Sequence, residues 1–171
     1  PPYGSFYLEF IDNRLWVIDY NATIYELNEQ SLIENNATRL DGQIIPSNFS
    51  TKKVLDTYVH KNKIYISYVN QDSCQKIHIV FAEINSKKLN FETFFKPNEC
   101  GKLVLGGRMY FHKHQEDEGL LLTTYGHRSN SPDETPQDNK SIYGKTLFIN
   151  FEDKDFIIFS KGHRNAIGMY A

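Results

Sequence analysis

His112 and His114, followed closely by Glu116, Asp117 and Glu118, form the densest group of potential metal ligands in the chain. On a β-strand, His112 and His114 share one face, as a zinc or copper ion requires of two imidazoles. The same run also reads as a long, solvated turn between two strands, and we assign no metal to it. Gln137 and Asp138 lie in the Pro- and Asp-rich stretch 129–140, a loop long enough to lie over a binding mouth and contact a ligand there. Asp138 can equally cap the turn into Tyr143-Gly144-Lys145. Near the C-terminus, Lys161-Gly162-His163-Arg164-Asn165 sets a guanidinium beside a carboxamide, two groups able to tie neighbouring carbonyls together across a turn.

The scaffold for these side chains reads as β throughout. Of the 171 residues, 40% are hydrophobic and 14% aromatic, with 12 Phe and 11 Tyr, a composition that suits one globular domain packed from pleated surfaces. Apolar residues alternate or cluster in short runs bounded by Asn, Asp, Gly and Lys. Strands are predicted over 6–10, 15–20, 23–27, 54–59, 64–69, 77–84, 89–95, 103–111, 120–125, 146–151 and 156–160, with no helix. Short polar turns join many of them, among them Asp12-Asn13, Lys61-Asn62, Asn85-Ser86 and Glu152-Asp153-Lys154. The run Ile11-Asp12-Asn13-Arg14-Leu15-Trp16-Val17-Ile18 is echoed by His60-Lys61-Asn62-Lys63-Ile64-Tyr65-Ile66-Ser67. A weaker echo begins at Glu116, each shift being about 50 residues, which is the period of a four-stranded propeller blade. Three blades fit the chain; a sandwich of tandem hairpins is the other arrangement of such strands. Trp16 alternates into blade core in this reading rather than serving as a sugar-stacking platform.

The net charge of −2 with scattered basic residues is not the footprint of a nucleic-acid partner. No apolar run approaches the roughly 18 residues needed to span a bilayer, and no leader precedes Pro1, so the expectation is a soluble chain without a membrane partner. Cys74 and Cys100 bracket a predicted hairpin and are either bridged or two unrelated buried thiols. Sequons begin at Asn21, Asn36, Asn48 and Asn139 and are read as composition in an Asn-rich chain rather than as glycosylation sites.

The run Gly162-His163-Arg164-Asn165-Ala166-Ile167-Gly168 resembles the Gly-His-Arg-Asn-x-x-Gly motif of the quinoprotein glucose/sorbosone sugar dehydrogenases. Upstream, Gln137-Asp138-Asn139-Lys140-Ser141-Ile142-Tyr143-Gly144-Lys145-Thr146-Leu147, Gly106-Gly107-Arg108-Met109 and Leu121-Leu122-Thr123-Thr124-Tyr125-Gly126 are similar to further segments of that family, in the same order. The resemblance implies an all-β fold, a β-propeller of the six-bladed type. About three blades of it would be present as one partial domain over residues 1–171, either truncated or completed by a homodimer that closes the ring. It implies oxidation of a sugar hydroxyl with pyrroloquinoline quinone and calcium, and a periplasmic or extracellular location. In the family a histidine takes the proton, an aspartate orients it and an arginine stabilises charge near the quinone. By that resemblance Arg164 and Asn165 are the cofactor-binding residues, Arg164 is also catalytic, and Gln137 and Asp138 border the sugar. The base position is Val104 and the aspartate position is His127, which stands as a candidate base of its own. Val104→His is then expected to restore weak turnover to a closed, quinone-loaded ring. The alternative is a carbohydrate- or protein-binding propeller module without catalysis.

Overall fold

The computed structural model describes residues 6–27, 43–84, 88–125, 135–163 and 166. Strands β1 (Tyr7–Ile11), β2 (Arg14–Ile18), β3 (Ile24–Leu27) and β4 (Gln43–Ile45) form one antiparallel sheet. A second comprises β5 (Val54–His60), β6 (Lys63–Asn70), β7 (Lys76–Glu83) and β8 (Glu92–Phe95). The third comprises β9 (Leu105–His114), β10 (Asp117–Tyr125), β11 (Lys145–Asn150) and β12 (Phe156–Lys161). In each sheet the strands lie in chain order. The first strands stand side by side, β1 against β5 and β5 against β9, so the sheets are three successive blades of a propeller. The repeated segment falls on β2, β6 and β10, the second strand of every blade.

Two features depart from the sequence reading. The short β4 was missing from it; Ile44 pairs with Tyr25 at the outer edge of the first blade. His112 and His114 do not belong to a long turn, because β9 runs on through them and the reversal takes only Gln115 and Glu116. Both imidazoles do share a face, where they pack on Phe148 and Phe159. Among the described residues no group of three or more His, Cys, Asp or Glu is placed to hold a metal ion.

The middle blade is covered on both sides, which explains why β6 and β7 are almost continuously apolar. Ile64, Ile66, Val80 and Ala82 pack with Trp16, Ile18 and Ile24 of the first blade. Tyr65, Ile77 and Ile79 pack with Leu120, Leu122, Leu147 and Ile149 of the third. Burying each such aliphatic chain is worth roughly 1.5–3 kcal/mol. Trp16 is 3% exposed and donates its indole N–H to Glu26 at 3.0 Å, a core residue as expected. The turns Asp12-Asn13 (φ 48° and 61°) and Lys61-Asn62 (φ 44° and 62°) have both central residues left-handed, the conformation that matches hairpin twist. Cys74 and Cys100 are bridged, with Cα atoms 5.7 Å apart, tying the β6–β7 turn to the β8–β9 connection.

The two outer flanks are apolar. Leu8, Val17, Tyr25 and Ile44 form one row across the first blade; Leu8 is 64% and neighbouring Phe10 70% exposed. On the far side of the third blade, Tyr110, Leu121, Phe148 and Ile157 form the matching row beside exposed Phe159.

Candidate functional site at the end of the inner strands

The inner strands β1, β5 and β9 begin at one end of the molecule. There the register sets Leu105 opposite Tyr125 and Lys145 opposite Lys161, so the connections carrying most of the sequence-derived site residues leave from the same end. Gly107 allows the inner strands to meet: its φ is +82°, and a Cβ there would lie 2.5 Å from Leu55 Cβ. In that gap the Ser67 hydroxyl donates to the Gly107 carbonyl at 2.7 Å.

A polar cluster lies on the inner strands at this end. Arg108 Nη1 donates to Asp56 Oδ1 at 2.6 Å, and the Met109 backbone N–H donates to Asp56 Oδ2 at 2.9 Å. The guanidinium stands 6.0 Å from the Tyr7 ring centroid, and the Tyr7 hydroxyl donates to the Val54 carbonyl at 3.0 Å. The Thr57 hydroxyl donates to Glu9 Oε1 at 2.6 Å. Burial pushes the Glu9 carboxyl above its ordinary range against the Thr57 hydrogen bond, and the Asp56 charge adds to the push. Burial also raises Asp56, opposed by the Met109 N–H and the Arg108 charge. Sequence reasoning assigned no role to Glu9, Asp56 or Arg108. An aspartate inside the apolar strand 54–59 was the available signal, since a charge is buried there only with a partner.

Val104, the position of the base by resemblance, is fully buried. Its side chain packs against Gly101, where an added Cβ would lie 2.6 Å from Val104 Cγ2 and 2.9 Å from Tyr143 Cζ. Its N–H donates to Gln75 Oε1 at 2.9 Å, and its carbonyl accepts from Lys53 Nζ at 3.0 Å. Burial lowers the pKa of Lys53.

Asp138 does cap its turn, accepting the Lys140 N–H on Oδ1 at 2.8 Å and the Ser141 N–H on its carbonyl at 3.2 Å. Gln137 is exposed and lies against Gly162, where an added Cβ would be 2.9 Å from Gln137 Nε2. The loop is therefore docked on the start of the Gly-His-Arg-Asn run. Lys145 holds it there: the fully buried ammonium donates to the carbonyls of Thr135, Pro136 and Tyr143 at 2.9, 3.0 and 2.8 Å. Arg164, Asn165 and His127 lie outside the described residues.

A three-bladed propeller segment with a polar cluster on its inner strands defines the class of protein. The family model described as Glucose / Sorbosone dehydrogenase matches residues 52–171, and the chain belongs to that family. An α-L-arabinofuranosidase (CtGH43) from Clostridium thermocellum is a solved structure similar to this chain at 10% identity, with a TM-score of 0.44 over 94% of this chain and 55% of that one. None of the curated proteins compared with the chain matches it.

The family is generally dependent on pyrroloquinoline quinone. The residues that the resemblance gives to that cofactor, Arg164 and Asn165, are not among those described. No trio of metal-ligating side chains stands together among the described residues. Lys145 is committed to carbonyls, Arg108 to Asp56 and Lys161 to Asn139. These residues support no step through the group.

Proposed function

We propose that the chain is part of a glucose/sorbosone dehydrogenase family member that binds a sugar at the open end of its inner strands without oxidising it. The observation that carries this reading is Val104, a valine packed into core where the family's chemistry needs a proton acceptor. Lys53, whose ammonium donates to the Val104 carbonyl, together with the exposed Gln137 carboxamide of the docked loop and the Glu9 carboxyl on β1, offers the donors and acceptors that sugar hydroxyls need.

The test combines a quinone titration with a sugar titration. On adding pyrroloquinoline quinone and calcium, the expected result is no spectral shift and no reduction of a dye by glucose. On adding glucose, NMR resonances of Gln137 and Lys53 are expected to move. Glucose-dependent dye reduction would overturn the proposal, and unmoved Gln137 and Lys53 resonances would remove the sugar from this end.

One observation favours a second, catalytic reading. Lys53 Nζ donates to the Val104 carbonyl at 3.0 Å and burial lowers its pKa, which sets the amine nearest the family's base position at this end of the molecule. Under that reading Lys53→Met abolishes dye reduction while leaving glucose binding in place.

A further inference from the structure

Between β8 and β9 the chain runs from Lys96 to Val104 outside any strand, apart from one isolated bridge that pairs Gly101 with Gln75. Lys96, Asn98, Cys100 and Lys102 are exposed along it. A stretch so short of ladder hydrogen bonds opens locally at a fraction of the global unfolding free energy. It is fastened by the Cys74–Cys100 disulfide and by the residues beside each cysteine. The Gln75 carbonyl accepts the Gly101 N–H at 2.8 Å, and Gln75 Oε1 accepts the Val104 N–H at 2.9 Å. With the disulfide closed, the two cysteine Cα atoms stand 5.7 Å apart and cannot part beyond about 7 Å, so these hydrogen bonds re-form whenever they break.

The same connection grips the loop that carries Gln137 and Asp138. Glu99, beside Cys100, accepts the Ser141 hydroxyl on Oε1 at 2.6 Å and the Ile142 N–H on Oε2 at 2.8 Å. The Glu99 carbonyl accepts the hydroxyl of fully buried Tyr143 at 3.0 Å. At the start of the loop, Lys145 fixes the Thr135 and Pro136 carbonyls. The loop is thus clamped at both ends, and the Glu99 clamp is the one that hangs on the disulfide.

The disulfide is within reach of solvent. Cys100 is exposed and Cys74 half-buried, the latter at the end of a turn whose Gln71, Asp72 and Ser73 are exposed. A dithiol can reduce such a bond in two exchanges. One thiolate of the dithiol attacks a sulfur of the bridge, and the other cysteine leaves as a thiolate and takes up a proton. The second thiolate of the dithiol then breaks the mixed disulfide, so two electrons pass to the protein, which keeps two thiols while the reductant closes its own disulfide.

We propose that the Cys74–Cys100 disulfide is a redox latch on the 138–142 part of the loop. Closed, it holds Glu99 against Ser141 and Ile142. Reduced by a dithiol, it lets the 98–101 connection and that part of the loop come away while the three blades stay folded. The latch is independent of the ligand assigned to this end under Proposed function.

The experiment is amide NMR of the nitrogen-labelled wild-type chain before and after dithiothreitol, with free thiols counted colorimetrically. Reduction is expected to yield two thiols per chain, one from each of the two cysteines. It is expected to shift or broaden the Gly101, Val104 and Ile142 signals, to leave those of Ile66, Val80 and Leu122 in place, and to reverse on reoxidation. Glu99→Gln removes one acceptor with the disulfide still closed, and is expected to move Ile142 but not Gly101. Cys74→Ser combined with Cys100→Ser should match the reduced wild type and ignore dithiothreitol. Fewer than two thiols from the folded chain would overturn the proposal. So would an unmoved Ile142 in the reduced chain, which would make the disulfide a staple of the connection alone, or loss of the Ile66, Val80 and Leu122 signals, which would make it a brace of the whole fold.

Discussion

Val104 shows how one side chain sets the chemistry of a site. The resemblance suggested that Val104→His would restore a base. The structure turns that side chain into the contact with Gly101 and Tyr143, so an imidazole there would overfill a closed space and bury a polar ring. Val104→His is expected to lose about 1–3 kcal/mol in a denaturant titration and to gain no dye reduction. A stable variant that turned over glucose would show that the position opens inward after all. Glu9 makes a pH-dependent prediction. Its folded carboxyl holds a proton to higher pH than the unfolded one, so the stability it contributes is complete below about pH 4 and is lost as pH rises through the folded value. Glu9→Gln should therefore be more stable than wild type at pH 7, with the difference closing at pH 4, as read by chemical denaturation at both. Asp56 was legible as an odd charge in an apolar strand. The role of Lys145 was not, because its partners are main-chain carbonyls that no side-chain pattern reveals.

Among the elements, alternation and turn chemistry located eleven of the twelve described strands, because blade strands are bounded by Asn, Asp and Lys residues that adopt left-handed turns. Strand β4 escaped because three residues, Gln43–Ile45, are too few to show a period, and its pairing with β3 is set by tertiary position. His112 and His114 were placed in a turn because polar residues interrupt the alternation there. Their burden is instead aromatic packing on Phe148 and Phe159. The disulfide was left open by the sequence, since only a Cα separation decides it. It now carries a prediction. Cys74 and Cys100 are 26 residues apart, and by chain entropy their bridge is worth about 3 kcal/mol. Reduction should lower the denaturant midpoint accordingly, and an unchanged midpoint would mean that the unfolded chain gains nothing from release.

For the molecule as a whole, the 50-residue echo was enough to announce three blades, and the burial of both faces of the middle blade follows from it. The echo says nothing of what lies beyond the outer two. Leu8, Phe10 and Ile44 on one flank, and Ile157 and Phe159 on the other, present apolar rows of the kind that blades bury against one another. The 171-residue chain on its own is expected to associate through these flanks, with light scattering giving a mass above 19.9 kDa and two copies completing a six-bladed ring. Phe10→Asp together with Phe159→Asp should return it to a monomer, whereas a monodisperse wild-type monomer would refute the association.

Every ladder among the described residues joins strands that are neighbours in the chain. Such local pairing keeps loop-closure costs small and favours fast, stepwise folding. On the ribosome, the first blade can pair while the third is still being translated, and each finished blade offers its apolar face as a template for the next. A lesion in β11 would then reach the cell as a nascent chain with two blades already formed and the third failing to dock.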